Sequence, residues 1–408
     1  MNQSLDPAIK IIERIKSKGY KAYLVGGAVR EYLLGESPKD FDIATDMPPG
    51  ELKKLFPNAS PVFPERYRIF ELETEEGFRF EIAHFRKDFD YKGRHSEIVF
   101  TDNIEEDLAR RDFTVNAIAM DPTCGKIIDL FGGQEDLRRR LVRALGNPEV
   151  RFEEDRVRIF RAIRLAAKIG GKFEIETWKA LVKLSERITE LSNDTLRLEL
   201  GRILELPRAP RGVYLLYRAG IINKIFNPHE QFKIKELCLA LRFAVRKSYP
   251  LPLRWALMFY FLGLSPEKIN ELGFPRADFN LLHYILTCIE PLKLILSDRA
   301  SPEEQLRVID NPALSYLVLT LKAITFAKER RVVAYEGLIS ALYPGIGAEK
   351  LISGDEIKRR FGISGKAIGE AIDYIRLCQL KGEINDYDGA MKKLEEFIRQ
   401  KGYEKGSH

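Results

Sequence analysis

From Arg151 to the C-terminus the apolar residues recur at helical spacing, as in Phe160, Ile163, Leu165 and Ala166 and again in Trp178, Leu181 and Val182. Up to about residue 130, by contrast, short β-rich runs alternate with helices. One chain must therefore carry an α/β part followed by an all-α part. Tyr23–Val25, Phe41–Ala44, Arg68–Leu72, Phe78–Phe85 and Ile98–Phe100 read as strands. The breaks Pro207-Arg208-Ala209-Pro210 and Pro250-Leu251-Pro252 punctuate the helical part. A length of 408 residues exceeds one ordinary core. The expected division is an α/β domain over 1–139, helical domains over 140–206 and 207–310, and a helical tail over 311–408.

Composition excludes some classes. At 45% hydrophobic and 31% charged, the chain reads as a soluble globular protein, and no uninterrupted apolar run has the length of a bilayer span. The segment Met1 to Asp6 lacks the basic and then apolar pattern of a secretory signal, so a cytoplasmic location is expected. Cys124, Cys238, Cys288 and Cys378 form no C-x-x-C pair, which indicates neither a zinc site nor a disulfide framework. A net charge of +6 permits a polyanionic partner without requiring one. The terminal Gly406-Ser407-His408 carries no functional reading.

The chemistry concentrates near the N-terminus. Gly26-Gly27 follows the apolar run Tyr23-Leu24-Val25 and precedes a helix expected to begin near Ala28, so backbone N–H groups there can approach a phosphate with no Cβ in the way. Arg30, one turn on, adds a positive charge. Alone, such a turn is equally a plain strand-to-helix connection. Shortly after it, Asp40-Phe41-Asp42 runs into Ile43, and alternation along a strand sends both carboxylates to one face. Two hard oxygen ligands aimed into one space suit Mg²⁺ bridging a triphosphate. Glu81, in Phe80-Glu81-Ile82, is either a third carboxylate or a surface charge on an edge strand.

Further on, Asp155 and Arg158 stand three residues apart in an expected helix, where they share a face and present an acceptor beside a donor fork. Such a pair can mimic a base edge: the carboxylate accepts from the exocyclic amino group of C or A, and guanidinium donates to the ring nitrogen or carbonyl beside it. U and G place a carbonyl where the amino group should be. An ordinary intrahelical salt bridge is the other reading. Each further three-residue step turns back by about 60°, so on a straight helix Arg161 can share this site while Arg164 lies roughly opposite Asp155.

Gly-Gly-Ala-Val-Arg at 26–30, Leu33-Leu34-Gly35, Asp-Phe-Asp at 40–42, Arg110-Arg111-Asp112-Phe113-Thr114-Val115-Asn116-Ala117 and Glu154-Asp155-Arg156-Val157-Arg158 resemble the successive motifs of class II tRNA nucleotidyltransferases and bacterial poly(A) polymerases. The likeness is greatest to bacterial CCA-adding enzymes. The resemblance implies an α+β fold: an N-terminal polymerase β-like α/β palm, then an all-α neck, body and tail. It implies template-independent addition of CCA to the 3′ end of tRNA from CTP and ATP. An A-adding tRNA enzyme or poly(A) polymerase is the nearest alternative, and an inactive RNA-binding protein of the same fold is the alternative of another class. Asp40 and Asp42 are implied to hold two Mg²⁺ ions. Gly27, Arg30 and Arg111 are implied to contact the nucleotide's phosphates or sugar, Asp112 to orient the ribose or its neighbours, and Asp155, Arg158, Arg161 and Arg164 to bind the nucleotide. No protein partner and no membrane are implied.

Departures are visible as well. Glu31 stands where the family usually has Asp, and the run from Leu191 to Leu200 keeps Arg197 and Glu199 while losing other motif positions. No His-Asp pair follows Arg254-Trp255-Ala256-Leu257, so no added phosphohydrolase is expected. The segment Phe85 to Arg94 resembles the flexible loop of enzymes that add the terminal A. Ile352 to Ile357 and Gly362 to Gly369 resemble the tail of tRNA nucleotidyltransferases, where paired glycines and Lys366 either grip RNA phosphates or cap a helical hairpin.

Overall fold

A computed structural model describes residues 5–38, 40–92 and 95–403, without the side chains of Glu65, 88–92 and 95–98. Met1 to Ser4, Lys39, Gly93, Arg94 and the terminal Gly406-Ser407-His408 of the readings above lie outside the described residues. The chain forms two compact units, Met1–Asn227 and Pro228–His408.

The first unit begins α1 (Asp6–Lys16), β1 (Ala22–Val25), α2 (Gly26–Leu33), β2 (Asp40–Thr45), α3 (Pro49–Leu55), β3 (Ser60–Pro61), β4 (Ile69–Glu73), β5 (Arg79–His84), β6 (Arg86–Lys92) and β7 (His95–Phe100). It continues with α4 (Ile104–Ala109), β8 (Ile118–Asp121), β9 (Lys126–Asp129), α5 (Gly133–Arg138), β10 (Leu141–Val142), α6 (Pro148–Glu154), α7 (Val157–Ile169), β11 (Lys172–Phe173) and α8 (Ile175–Leu184). Helices α9 (Asn193–Glu205), α10 (Ala209–Arg218) and α11 (Ile221–Phe226) complete it.

Seven strands make one sheet in the order β3-β4-β5-β2-β1-β8-β9, with β2 antiparallel to β1 and parallel to β5. Alternation along β2 decides what each face does. Phe41 and Ile43 enter a core built with Ile12 and Ile15 of α1, Leu24, Phe80 and Ile82. Each such buried side chain stabilises by roughly 1.5–3 kcal/mol relative to exposure. Helix α1 fits this face because its buried Ala8, Ile11, Ile12 and Ile15 follow the 3.6-residue period. On the other face, Val25, Ala44, Phe85 and Ala119 pack under Ile104 and Leu108 of α4. That cover lies over Ala44 of β2, while Asp42, on the same face of the strand, lines a cavity.

The five expected strands all occur, with ends shifted by at most three residues. Three were missed. Strands β8 and β9 are short, and Ile118, Ala119, Met120 and Asp121 of β8 are all buried, so β8 shows no alternation to read. The segment expected as a flexible loop contains β6, which pairs antiparallel with β7 in a separate hairpin carrying an irregularity between Phe89 and Tyr91. Glu81 is not on an edge strand, because β5 pairs with β4 on one side and β2 on the other.

Asp155 and Arg158 do not share a helix. Helix α6 stops at Glu154, Asp155 is extended at φ −150°, ψ 107°, and α7 starts at Val157. The Asp155 carboxylate accepts from the Val157 N–H at 3.0 Å, starting the second helix while ending the first.

The second unit is helical. Its longest helix, Arg276–Leu296, is alone among the described residues in being long and apolar enough to cross a membrane by length and composition, but Asp278, Glu290 and Lys293 interrupt it, so it is not an uninterrupted apolar run. Leu282, Ile285, Cys288, Ile289 and Leu292 of that helix are buried, and it packs against the helices Leu251–Leu262 and Leu314–Glu329 as a core element. Helices Gly354–Phe361, Lys366–Leu380 and Tyr387–Lys401 share a core of their own. Gly362 caps the first in the left-handed region and Gly365 precedes the second, the geometry of a glycine-capped hairpin.

Candidate active site

A cavity of about 1350 Å³ opens in the first unit, lined by the glycine turn, β2, β4, β5, the Arg110 to Asn116 segment and α7. Of the residues singled out from the sequence, Gly27, Arg30, Asp42, Arg111, Asp112, Asp155, Arg158, Arg161 and Arg164 line it, as does Glu81. Asp40 does not; it is exposed two residues earlier on the same face of β2.

The floor is made by strand register. Val25 of β1 lies across from Asp42, and on the other side Asp42 lies across from Glu81 of β5. Gly26 turns the chain into α2 with φ +64°, and a Cβ there would meet Asp42 Oδ2 at 3.0 Å and Arg111 Nη1 at 3.2 Å. Glycine is therefore required twice, by backbone conformation and by space. The Gly27 N–H donates to Asp42 Oδ2 at 3.3 Å, so the positive end of α2 points at the acid.

Burial pushes the Asp42 carboxyl above its ordinary range, with Asp40 adding repulsion and Arg111, the Gly27 N–H and Arg30 opposing. Burial also raises Glu81, followed by repulsion from Asp42 and Glu71. Carboxylates held side by side in this way gain from a cation. Among the described residues no group of three or more His, Cys, Asp or Glu side chains is arranged to hold a metal by itself. The donors present thus fit a hard divalent cation that takes the rest of its shell from substrate oxygens and water.

The basic groups are each tied down. Arg30 is buried, donates to Asn116 Oδ1, and has its pKa lowered by burial against the attraction of Glu31, Asp112 and Asp42. Asp107, a residue the sequence reading passed over, takes Arg110 at 2.9 Å and Arg111 at 3.0 Å. Its i, i+3, i+4 spacing from them was the available signal. Burial would raise Asp107, but the two guanidinium groups outweigh it and hold the carboxyl low. Asp112 pairs not with its neighbours in the motif but with Arg161, at 2.8 Å, and also accepts from Asn116 and the Phe113 N–H. Burial opposes ionisation of Asp112, yet Arg161, Asn116 and Arg158 hold its pKa low.

Along α7, Val157, Arg158, Arg161, Arg164, Leu165 and Lys168 all line the cavity, one stripe at helical spacing. This corrects the placing of Arg164 opposite Asp155. That geometry assumed one straight helix, and the chain breaks at Asp155. Arg164 is held by buried Glu199 at 3.0 Å, which explains the survival of that glutamate. Arg158 is held by Glu154 at 2.5 Å and by the Arg151 carbonyl at 3.0 Å. Arg151 in turn reaches the carbonyls of Ala109 and Arg111, tying α6 to the cavity floor. Glu31 accepts from Lys168, so the departure from Asp gives a side chain that reaches α7.

The family described as Poly A polymerase head domain matches residues 22–143, and the one described as Probable RNA and SrmB- binding site of polymerase A matches residues 172–232. The CCA-adding enzyme of Geobacillus kaustophilus is 36% identical over 363 residues, 88% of this chain and 83% of that one. That of Geobacillus sp. (strain WCH70) is 29% identical over 394 residues, 95% of each chain. The crystal structure of the Bacillus stearothermophilus CCA-adding enzyme in complex with CTP superposes with a TM-score of 0.78 at 28% identity, covering 98% of this chain and all of the other.

Proposed function

The chain belongs to the family of CCA-adding enzymes, nucleotidyltransferases, and from that premise we propose that it rebuilds the CCA end of tRNA from CTP and ATP with release of pyrophosphate. The observation that carries this reading is the single cavity in which the Gly26-Gly27 turn and Asp42 face the basic stripe of α7. The reading keeps a palm over 1–139, a neck over 140–206, a body over 207–310 and a tail over 311–408. Four free cysteines suit a reducing, cytoplasmic setting.

In this reading the Gly27 N–H and Arg30 bind the triphosphate, one as a fixed dipole at a helix start and one as a buried charge. Arg111, clamped by Asp107, adds a second cation on the far side of Asp42. Asp112 holds Arg161 in place and presents its remaining acceptor capacity to the sugar. Asp155 accepts from the amino group of C or A while Arg158, held by Glu154, donates to the adjoining ring atom. Arg161 and Arg164 complete the electropositive wall. Asp40 and Asp42, with Glu81 across the strand pair, would hold two Mg²⁺ ions, which when bound supply neutralisation of the triphosphate and acidify the RNA 3′-hydroxyl.

The test is extension of a tRNA lacking CCA with CTP alone, ATP alone and both, followed by sequencing of the 3′ ends. The expected product is CC with CTP alone and CCA with both. Addition of A without any C would replace this reading with A-addition, and no extension at all would leave an RNA-binding protein.

A further inference from the structure

The motifs account for only part of the cavity. The glycine turn, the Arg110 to Asn116 segment and α7 form one side of Asp42, and all of these were singled out as nucleotide-binding elements. The remaining side, beyond Glu81, is lined by Arg66, Tyr67, Arg68, Arg86 and Phe100; of these only Arg86 falls in a segment with a family resemblance, the Phe85 to Arg94 stretch that resembles a flexible loop. These residues come from three places in the chain: the short turn before β4, the start of β6 and the end of β7.

Their arrangement is specific. The Arg68 guanidinium lies 3.6 Å over the centroid of the Phe100 ring. Arg66 and Arg86 stand 5.1 and 5.3 Å from the Tyr67 ring, and Arg66 also donates to the Tyr67 hydroxyl at 3.2 Å. Arg68 is held at φ +50°, a conformation that an L residue with a long side chain adopts only under constraint. Its carbonyl accepts from the His84 N–H at 3.2 Å, which fixes the turn to the end of β5. Arg86 and Glu81 line the same cavity, so this wall adjoins the acidic floor.

Nucleotidyl transfer needs two substrates to meet at the acids. With one side of the floor given to the nucleoside triphosphate, the RNA end must approach from another. Two flat rings interleaved with three guanidinium groups offer what an unpaired RNA terminus presents, namely base faces to stack on and phosphodiesters to pair with. Guanidinium planes stacked on rings extend the platform, since a base can lie on either. The groups contain no acceptor set for one base edge, so the wall suits a terminus whose last nucleotide changes from one addition to the next.

We infer that Arg66, Tyr67, Arg68, Arg86 and Phe100 form the acceptor-end site, holding the last one or two nucleotides of the RNA by stacking and phosphate contact. The inference rests on the function proposed above and assigns a site that the nucleotide-binding motifs leave out.

The experiment measures KM for a tRNA lacking CCA and KM for CTP in wild type, Tyr67→Ala, Tyr67→Phe and Arg66→Ala, with thermal unfolding of each variant as the check on folding. Loss of a stacking platform should raise KM for RNA by about tenfold in Tyr67→Ala, while KM for CTP stays within about twofold. Tyr67→Phe keeps the ring and should behave as wild type; Arg66→Ala should raise KM for RNA and weaken its dependence on salt. A rise in KM for CTP without one for RNA would reassign the wall to the nucleotide. Unchanged constants in folded variants would show the wall to be idle. If the wild type itself extends no RNA, the proposed function fails; if it extends RNA and the variants match it, only this inference fails.

Discussion

Gly26 and Gly27 are adjacent, yet the structure demands opposite outcomes from the same substitution. Gly26→Ala places an L residue at φ +64° and a methyl 3.0 Å from Asp42 Oδ2 and 3.2 Å from Arg111 Nη1. The left-handed backbone costs roughly 1–2 kcal/mol, and the two side chains must also retreat by a few tenths of an ångström. For a unit of about 150–250 residues each kcal/mol lowers Tm by roughly 2–4 °C, so Gly26→Ala should melt about 2–8 °C below wild type. At Gly27 no positive φ applies, and the nearest atoms to an added methyl, on Arg30 and Asp42, lie at 3.6 Å. Alanine in a helix is favoured over glycine by roughly 0.5–1 kcal/mol, so Gly27→Ala should melt at or slightly above wild type. Its methyl nevertheless occupies the approach to the Gly27 N–H, and misplacement of a phosphate there should slow single-turnover incorporation of CTP on the order of 10²-fold. Differential scanning calorimetry and rapid-quench extension on both variants make the comparison. Equal melting temperatures, or a greater loss in Gly27→Ala, would refute the account of the turn.

The remaining predictions use the charges. Asp107 and Asp112 have depressed pKa values, so their contribution is present above the ordinary carboxylate range and lost as pH falls through the folded values. Urea unfolding followed from pH 7 down to pH 3 should show a shallower acid loss in Asp112→Asn, where Arg161 loses its charged partner, than in wild type. Asp42 has the opposite sign: its raised pKa means that ionisation costs stability as pH rises through the folded value. Asp42→Asn should therefore melt above wild type at pH 7 in EDTA and lose incorporation, and a lower melting point would contradict the burial argument. Asp155→Ala removes the acceptor for the Val157 N–H, costing about 1 kcal/mol as a lost cap, and should admit U and G in a four-nucleotide competition; fidelity equal to wild type would confine Asp155 to starting α7.

What the sequence determined by itself was whatever depends on near neighbours. Phe41 and Ile43 alternating with Asp40 and Asp42 define a strand with one acidic face, because side-chain direction in a strand has a period of two. Gly26-Gly27 marks a turn because only glycine enters the left-handed region cheaply. The spacing of Phe160, Ile163 and Ala166 marks a helix for the same local reason. Motif resemblance then carried residues in these elements to one site, and nine of the ten line one cavity.

Only the tertiary structure decided what depends on register and direction between distant segments. Asp42 faces Glu81 because β2 and β5 pair in parallel at one register, a choice made by the core on the opposite face. Arg164 joins the site because Asp155 breaks the helix, a backbone event that a periodic reading treats as continuous. Asp112 finds Arg161 forty-nine residues away rather than the arginines beside it. The wall of Arg66, Tyr67, Arg68, Arg86 and Phe100 has no joint sequence signature, and only Arg86 falls in a segment with a family resemblance, since its members are brought together by strand pairing and ring stacking between separate segments of the chain.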